Sequence, residues 1–160
     1  MTQRQNEDRA QIHHTMAVYC NSLDSGDVDG VLSAFTDDAQ LELSSGTKVR
    51  GTAAIRAFYL TVVGPARSDR TAGEPIPLLR HNLTTSRVEF VDDHTAQGWT
   101  YFMALTRHGL DHAGQYVDRL VRQGDRWLLD DRRILVEWYG SPSWYEQVQQ
   151  VRLNAFSVSR

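Results

Sequence analysis

The stretch AGQYVDRLVRQGDRWLLDDRRILVEW, residues 113–138, predicts two antiparallel strands joined by a tight turn. Residues 113–122 and 127–138 are rich in strand-forming residues, and Gly124-Asp125 between them is a turn signal typical of a β-hairpin. Two further strand patterns precede it, Leu79–Val91 and Thr95–Arg107, and His108 to Asp111 is interpreted as the turn before the hairpin. Because parallel neighbours need long crossovers, these short gaps predict an antiparallel meander.

The first third of the chain has a helical pattern instead. Five apolar residues recur at the period of one helix face: Ile12, Met16, Tyr19, Cys20 and Leu23. Ser25-Gly26 is a helix-stop signal, and Asp27 can cap a second, short helix that runs to Phe35. After a small hairpin pattern over residues 41–50, Thr52 can cap a third helix.

Two segments remain between and after these elements. Most of the prolines fall between Gly64 and Pro77, where a loop is predicted. Helical spacing returns from Trp144, which predicts a C-terminal helix over about residues 143–156.

The chain of 160 residues is long enough to bury one core without a metal or a disulfide. Helices followed by an antiparallel sheet are the order of an α+β fold. We therefore expect a single α+β domain over residues 1–160, with its core at about residues 5–140. The helices are expected to pack on one face of a curved, mostly antiparallel sheet and to enclose a hydrophobic pocket.

Composition and charge exclude several classes of function. The 17 basic and 20 acidic residues give a net charge of −3, which argues against nucleic-acid binding. The sequence contains no run of about 18 apolar residues, so no membrane span is predicted. Its polar N-terminal stretch does not resemble a signal peptide. We therefore expect a cytoplasmic protein with no membrane partner. The single cysteine excludes a disulfide framework and a multi-cysteine zinc site. Lys48 is the only lysine and lies in a turn-like stretch, which argues against Schiff-base chemistry.

Asp24 and His81 are the first candidates for chemistry. Asp24 lies on the flank of the apolar helix face and at the C-terminal end of the helix, where the helix dipole disfavours a carboxylate. His81 alternates in phase with Leu79 and Leu83, so its side chain is predicted to face the core. Each has a structural alternative, a solvent-facing aspartate and a core histidine bound to a carbonyl. As a pair, the carboxylate would fix the histidine tautomer and the free ring nitrogen would move a proton.

Aromatic and basic residues provide further candidates. Buried phenols in a pocket can donate to an oxygen that gains charge, as Tyr19, Tyr59 and Tyr116 could, although most such tyrosines are core residues. Trp99 and Arg133 complete the candidate substrate contacts. Arg132 and Arg133 could steer an anionic substrate or pair with nearby aspartates, Asp118 or Asp131. His108 and His112 bracket a predicted turn, and no nearby ligands complete a metal set, so no metal site is expected.

Several stretches together resemble the SnoaL-like branch of the nuclear-transport-factor-2-like superfamily. They are Tyr19–Asp27 at the end of the first helix, Leu32–Ala39, Gly51–Phe58, Arg80–Leu83, and Gly114–Val121 with Trp127. The likeness covers about residues 5–140. It implies a cone-shaped α+β barrel around a hydrophobic pocket, and homodimers are usual for the fold. The superfamily includes dehydratases, a dehydrochlorinase, polyketide cyclases and steroid isomerase relatives, as well as binding proteins and oxygenase small subunits.

By position, the resemblance assigns catalysis to Asp24 and His81, with Tyr19 as in a bile-acid dehydratase and Arg133 as a loose counterpart of a dehydrochlorinase arginine. We therefore expect a cofactor-free lyase or isomerase in which the Asp–His pair removes a proton from a hydrophobic, cyclic, polyketide- or steroid-like molecule. Two alternatives remain open: a non-catalytic small-molecule binder, and the small subunit of a ring-hydroxylating oxygenase-type assembly. A homodimer is expected.

Overall fold

A computed structural model describes residues 2–68 and 79–146, which form three helices, six strands and the first turn of a further helix at residues 144–146. The helices are α1 (Gln3–Ser25), α2 (Val28–Leu32) and α3 (Thr52–Ser68). The strands are β1 (Phe35–Leu43), β2 (Lys48–Arg50), β3 (Leu79–Phe90), β4 (Thr95–Thr106), β5 (Gly109–Gln123) and β6 (Arg126–Tyr139). Among the helices of the described residues, none has the length and hydropathy that a transmembrane span needs.

The six strands form one mixed sheet in the order β2-β1-β6-β5-β4-β3. Every neighbouring pair is antiparallel except β1 and β6, which run parallel. The predicted α+β class and antiparallel meander are therefore confirmed. The sheet is open rather than a closed barrel, because β2 and β3 remain at its two edges. Register shifts in four of the five strand pairs mark bulges, which bend strands and increase their twist.

The first helix begins and ends with strong local signals. Thr2 and Gln5 form a reciprocal capping box at its start, and Gly26 ends it in the left-handed conformation at φ 69°. The five apolar residues of the predicted face are all buried. This face packs on the sheet through β3 and β6, so the C-terminal end of α1 lies over the strands that carry the candidate site.

The sheet has a buried core face and a more exposed outer face. On β4 the buried residues alternate strictly: Ala96, Gly98, Thr100, Phe102 and Ala104. On β5, Gly114 lies so close to the neighbouring strand that a Cβ would meet the Leu135 carbonyl oxygen at 1.9 Å. Only glycine fits this approach, which occurs beside a bulge in the β5–β6 pairing.

Several predicted boundaries are wrong. The second helix ends at Leu32, where Ser33 caps it, and Phe35 instead begins a strand paired with Leu129. Thr52 does not cap α3; its hydroxyl donates to the Asp37 carbonyl oxygen at 3.1 Å. Sequence periodicity could not decide these ends, because one apolar residue suits a helix and a strand equally well.

Two predicted segments lie partly outside the described residues. The loop predicted from Gly64 begins later, since α3 continues to Ser68; residues 69–78 are not described. Local Gly and Pro signals are weak priors that surrounding structure can override. The C-terminal helix begins at Trp144 close to the predicted start, and the part of that prediction after residue 146 lies outside the described residues.

Candidate active site

The structure brings Asp24 and His81 into contact across 57 residues of sequence. Asp24 Oδ1 lies 2.6 Å from the Nδ1 atom of the His81 ring, and Oδ2 accepts a hydrogen bond from the His81 backbone N–H at 2.9 Å. The side chains are 6% and 4% exposed. One carboxylate therefore joins the C-terminal end of α1 to the start of β3 and fixes both the backbone and the ring of the histidine.

The contact also assigns the tautomer of His81. An ionised carboxylate only accepts hydrogen bonds, so the ring proton lies on Nδ1 and the Nε2 lone pair is free. Within residues 2–68 and 79–146, His81 Nε2 has no hydrogen-bond partner. Since the His81 ring lines a cavity, this arrangement can accept a proton at Nε2.

That cavity lies between the helices and the core face of the sheet. Most of its lining is aromatic or apolar: Tyr19, Leu23, Leu43, Phe58, Tyr59, Val62, Phe102, Tyr116, Ile134, Val136, Trp144 and Tyr145, with Ser44, His81 and His112. Its volume is about 70 Å³. Pockets that hold drug-sized ligands span roughly 300–1,000 Å³, so a substrate of that size requires part of this lining to move.

Two of the predicted tyrosines form a pair in the cavity wall. The hydroxyl oxygens of Tyr19 and Tyr59 lie 2.7 Å apart, and both side chains are buried. Burial raises the pKa of Tyr19, with partial opposition from Arg132, and raises the pKa of Tyr59 well above its ordinary value. Both phenols are therefore neutral. Since one hydroxyl donates to the other, the second O–H remains available to a bound molecule.

A buried ion pair between Arg132 and Asp118 packs against the rings of Tyr19 and Tyr116. Arg132 is fully buried and forms two hydrogen bonds of 2.8 Å to Asp118. Burial alone would lower the pKa of Arg132, but the charge and hydrogen bonds of Asp118 raise it well above its ordinary value. Its guanidinium lies 4.1 Å from the Tyr19 ring centroid and 4.3 Å from that of Tyr116. The interpretation of Arg132 as the partner of an aspartate thus agrees with the structure, and the cation holds two of the cavity rings in place.

Two predicted substrate contacts lie elsewhere. Trp99 lies between two buried residues of β4 and therefore faces the outer side, where its ring lies 4.2 Å from the Arg87 guanidinium. Arg133 is exposed on β6. Neither lines the cavity. Successive strand residues point to opposite faces, so a shift of one position removes a side chain from the cavity.

A second aspartate–histidine pair, absent from the predicted site, places its histidine in the wall of the same cavity. His112 Nδ1 lies 2.8 Å from Asp111 Oδ2, and both side chains are buried. The ring centroids of His112 and His81 are 5.8 Å apart with the planes at 77°. Burial lowers the pKa of His112 and His81 adds to this, while the hydrogen bond to Asp111 opposes it. His112 is therefore neutral near pH 7, with its Nδ1–H held by the carboxylate.

The sequence pattern misses the second pair because the predicted turn is too long. The turn is predicted over residues 108–111, but β5 begins at Gly109. A usable signal is present: His112 is in phase with Gly114, Tyr116 and Asp118 along one strand face, all of them buried. Extending the alternation back from Tyr116 places His112 in the cavity.

Cys20 lies beside this site without forming part of its chemistry. Burial raises the pKa of its thiol to about 12, so the thiol stays protonated and is a weak nucleophile. In the parts of the chain that the structure describes, no group of three or more histidine, cysteine or carboxylate residues could hold a metal ion.

Solved structures resemble this architecture over most of its length. A protein of unknown function from Mycobacterium tuberculosis is 22% identical, with a TM-score of 0.76 over 94% of this chain and 89% of that chain. The hexachlorocyclohexane dehydrochlorinase LinA-type3 from Novosphingobium barchaimii is 18% identical, with a TM-score of 0.69 over 86% and 91%. ActVI-ORFA from Streptomyces coelicolor is 20% identical, with a TM-score of 0.68 over 81% and 97%. At these identities the likeness shows the fold.

The family match rests on the sequence. Residues 4–133 match the SnoaL-like domain, which is most of the chain and includes Tyr19, Asp24, His81 and both residues of the second pair. Together with the open, helix-covered sheet, this match shows that the chain belongs to the SnoaL-like domain family.

Proposed function

We propose that this protein is a cofactor-independent lyase or isomerase of the dehydratase or cyclase type, acting on a hydrophobic, cyclic small molecule such as a polyketide- or steroid-like compound. The observation that carries the proposal is the contact of Asp24 with His81 at an aromatic cavity, with no hydrogen-bond partner for Nε2 among the described residues. The likeness to a protein named as a dehydrochlorinase supports it, since that name describes an elimination.

In the proposed reaction, His81 Nε2 takes a proton from a carbon beside a carbonyl group or a leaving group. The C–H electron pair forms a carbon–carbon double bond, as an enolate or with departure of the leaving group. Asp24 stabilises the imidazolium that results, and the proton can then return from Nε2 to the product or to the leaving group. Such general base catalysis supplies roughly 10²–10⁴-fold in rate.

The tyrosine pair and His112 would hold the substrate oxygens. The spare O–H of Tyr19 or Tyr59 can donate to the oxygen that gains negative charge. Neutral His112, with its proton on Nδ1, presents Nε2 as an acceptor for a substrate hydroxyl. Tyr116 stacks on Phe102 with centroids 4.4 Å apart and contributes a flat wall. These features suit a ring system that carries oxygen at its edge.

Deuterium exchange on a panel of compounds tests the proposal, because it detects proton abstraction from any molecule that the cavity accepts. Cyclic ketones such as 3-ketosteroids, and hydroxylated polycyclic compounds, are incubated with the protein in D₂O and analysed by mass spectrometry for deuterium beside a carbonyl and for loss of water. We expect enzyme-dependent exchange or elimination that His81→Ala reduces at least a hundredfold, within the range of about 10²–10⁴ for a lost general base.

The control is His94→Ala, because His94 is an exposed histidine in the β3–β4 turn. It should retain full activity. Near-normal activity of folded His81→Ala would refute the catalytic pair. Tight binding of these compounds with no exchange and no product would instead favour the non-catalytic binder.

We also propose the homodimer that the sequence resemblance implies. Exposed apolar side chains form a row on the outer face of β4 at Tyr101, Met103 and Leu105, and Trp138 lies across Ala113 from Met103. A second copy would cover this row. Sedimentation of the wild type and of Met103→Glu tests it: the wild type should be a dimer and the variant a monomer, and a monomeric wild type would overturn the proposal.

A further inference from the structure

The carboxylate of Asp111 binds more than the imidazole of His112. Besides the His112 ring at 2.8 Å, it accepts hydrogen bonds from the backbone N–H of Trp144 at 2.6 Å and of Tyr145 at 3.2 Å. The backbone carbonyl oxygen of Asp111 also accepts a hydrogen bond from the Gly140 N–H at 2.8 Å. The residue is 5% exposed, so these donors take the place of water around a buried anion.

Apart from His112, the residues that donate hydrogen bonds to Asp111 belong to one short stretch, residues 140–146, here called the closing segment. Its Trp144 and Tyr145 both line the cavity, and both rings stack on His112, with centroid distances of 6.1 and 5.2 Å. Ser143 Oγ accepts from the Glu146 N–H at 2.9 Å and caps the first turn of the helix. The closing segment therefore packs on the same imidazole whose Nδ1–H the carboxylate fixes.

We propose that Asp111 is a positioning residue that couples closure of the cavity by residues 140–146 to the orientation of His112. Three donors from two parts of the chain share one buried carboxylate. If the closing segment leaves, the anion loses two donors, must be rehydrated, and no longer holds the imidazole in one geometry. If the imidazole turns away, the carboxylate that receives the Trp144 and Tyr145 N–H groups is no longer fixed. The two arrangements are therefore kept or lost together.

The small volume of the cavity suggests why its closure would be coupled to His112. Its volume of about 70 Å³ requires some of the lining to move before a drug-sized molecule enters. Three described lining residues lie outside helices α1 to α3 and outside the strands: Ser44, Trp144 and Tyr145. The Ser44 hydroxyl is hydrogen-bonded to the backbone of β6 at Ile134 and Val136, whereas Trp144 and Tyr145 follow the last strand. Moving the closing segment opens the cavity without breaking a strand pair. Its return would set the Nε2 of His112 toward the occupant, a role that rests on the proposed function, whereas the coupling does not.

Two variants separate the halves of the coupling. Asp111→Asn replaces one of the two acceptor oxygens with an N–H₂ group, which then faces either the Trp144 N–H or the donors of His112 and Tyr145. Ser143→Ala removes the helix cap of the closing segment and leaves the Asp111–His112 contact itself unaltered. Asp125→Asn, at the exposed β5–β6 turn, is the matched control for loss of a carboxylate.

Two readouts are needed, and neither requires turnover. Stopped-flow binding of 8-anilinonaphthalene-1-sulfonate measures entry into the cavity, and ¹⁵N spectra of the imidazoles report the tautomer of His112. We expect Asp111→Asn to speed dye entry by about tenfold or more, the effect of losing a hydrogen bond to a charged group, and to mix the two tautomers. Ser143→Ala should change both readouts in the same direction, and Asp125→Asn neither.

Faster dye entry in Ser143→Ala with an unchanged His112 tautomer would overturn the proposal. A changed tautomer in Asp111→Asn with unchanged entry would do the same. Should Asp111→Asn not fold, Ser143→Ala alone decides the matter. Failure of the catalytic proposal is separate, because it appears as activity retained in His81→Ala and leaves both of these readouts untouched.

Discussion

The two aspartate–histidine pairs of the cavity are anchored in different ways. Asp24 binds both the ring and the backbone of His81, and it joins two long elements, α1 and β3. Asp111 binds only the ring of His112, its neighbour in sequence, and uses its remaining capacity on the closing segment. The first pair is therefore held by the scaffold, while the second also holds a short stretch of the cavity wall.

The difference follows from where each carboxylate finds its donors. A carboxylate with donors on rigid helices and strands is preorganised, because no donor can leave without moving an element of the core. A carboxylate with two of its three donors on a stretch that follows the last strand can lose them at lower cost. Equivalent substitutions in the two pairs should therefore have unequal effects.

Turnover should separate the pairs most sharply. Asp24→Asn leaves the His81 ring without its ionic acceptor and should reduce turnover at least a hundredfold, within the range of about 10²–10⁴ for general base catalysis. Asp111→Asn should reduce it by about tenfold, the effect of a misplaced hydrogen bond. Steady-state kinetics on the compound found by deuterium exchange measures both. Equal losses in the two variants would mean that the pairs share one role.

The amount that sequence could predict differs between the pairs. Asp24 breaks a clear rule, as a carboxylate at a helix C-terminus, and His81 follows one, as a histidine in phase with apolar strand residues. Asp111 and His112 are not predicted, because the predicted turn that begins at His108-Gly109 extends to residue 111. Periodicity alone does not show where such a turn ends. Trp99 and Arg133 lie away from the cavity, because adjacent strand residues point to opposite faces of the sheet. The donors from residues 144 and 145 are beyond prediction, since their contacts with Asp111 depend on tertiary packing.

Stability should show the same contrast in a second quantity. Asp24→Ala leaves the His81 backbone N–H and ring N–H buried without an acceptor, which should lower the free energy of unfolding by about 2–3 kcal/mol. Asp111→Ala should cost about half as much, because the freed N–H groups of Trp144 and Tyr145 can reach water when the closing segment moves. Urea unfolding followed by circular dichroism measures both. A larger loss in Asp111→Ala would show that the closing segment belongs to the rigid core.

The Tyr19–Tyr59 pair lies on helices α1 and α3 and is expected to assist proton abstraction by His81. Tyr19→Phe and Tyr59→Phe each remove one hydroxyl, so the remaining phenol loses its partner but keeps an O–H. Each should reduce kcat by about tenfold, and the double variant by more, because only then is no donor left. Tyr101→Phe, exposed on the outer face, is the control. Full activity of the double variant would remove the phenols from the mechanism.

The smallest expected effect concerns pH, and it belongs to the second pair. Burial, with a contribution from His81, lowers the pKa of His112 in the folded protein below its ordinary value of 6.5, while Asp111 opposes the shift. In the unfolded chain His112 titrates near 6.5 and so binds more protons in the window below that value. The free energy of unfolding should therefore be greatest above pH 6.5 and fall as the pH decreases through the folded pKa of His112.

His112→Asn isolates this contribution, because the asparagine amide can still donate to Asp111 but does not titrate. Urea unfolding between about pH 7.5 and pH 5 should show a shallower decrease for this variant than for the wild type. His94→Asn, which changes an exposed histidine, should keep the wild-type slope. If the His112→Asn slope matches that of the wild type, the imidazole is not held neutral by burial.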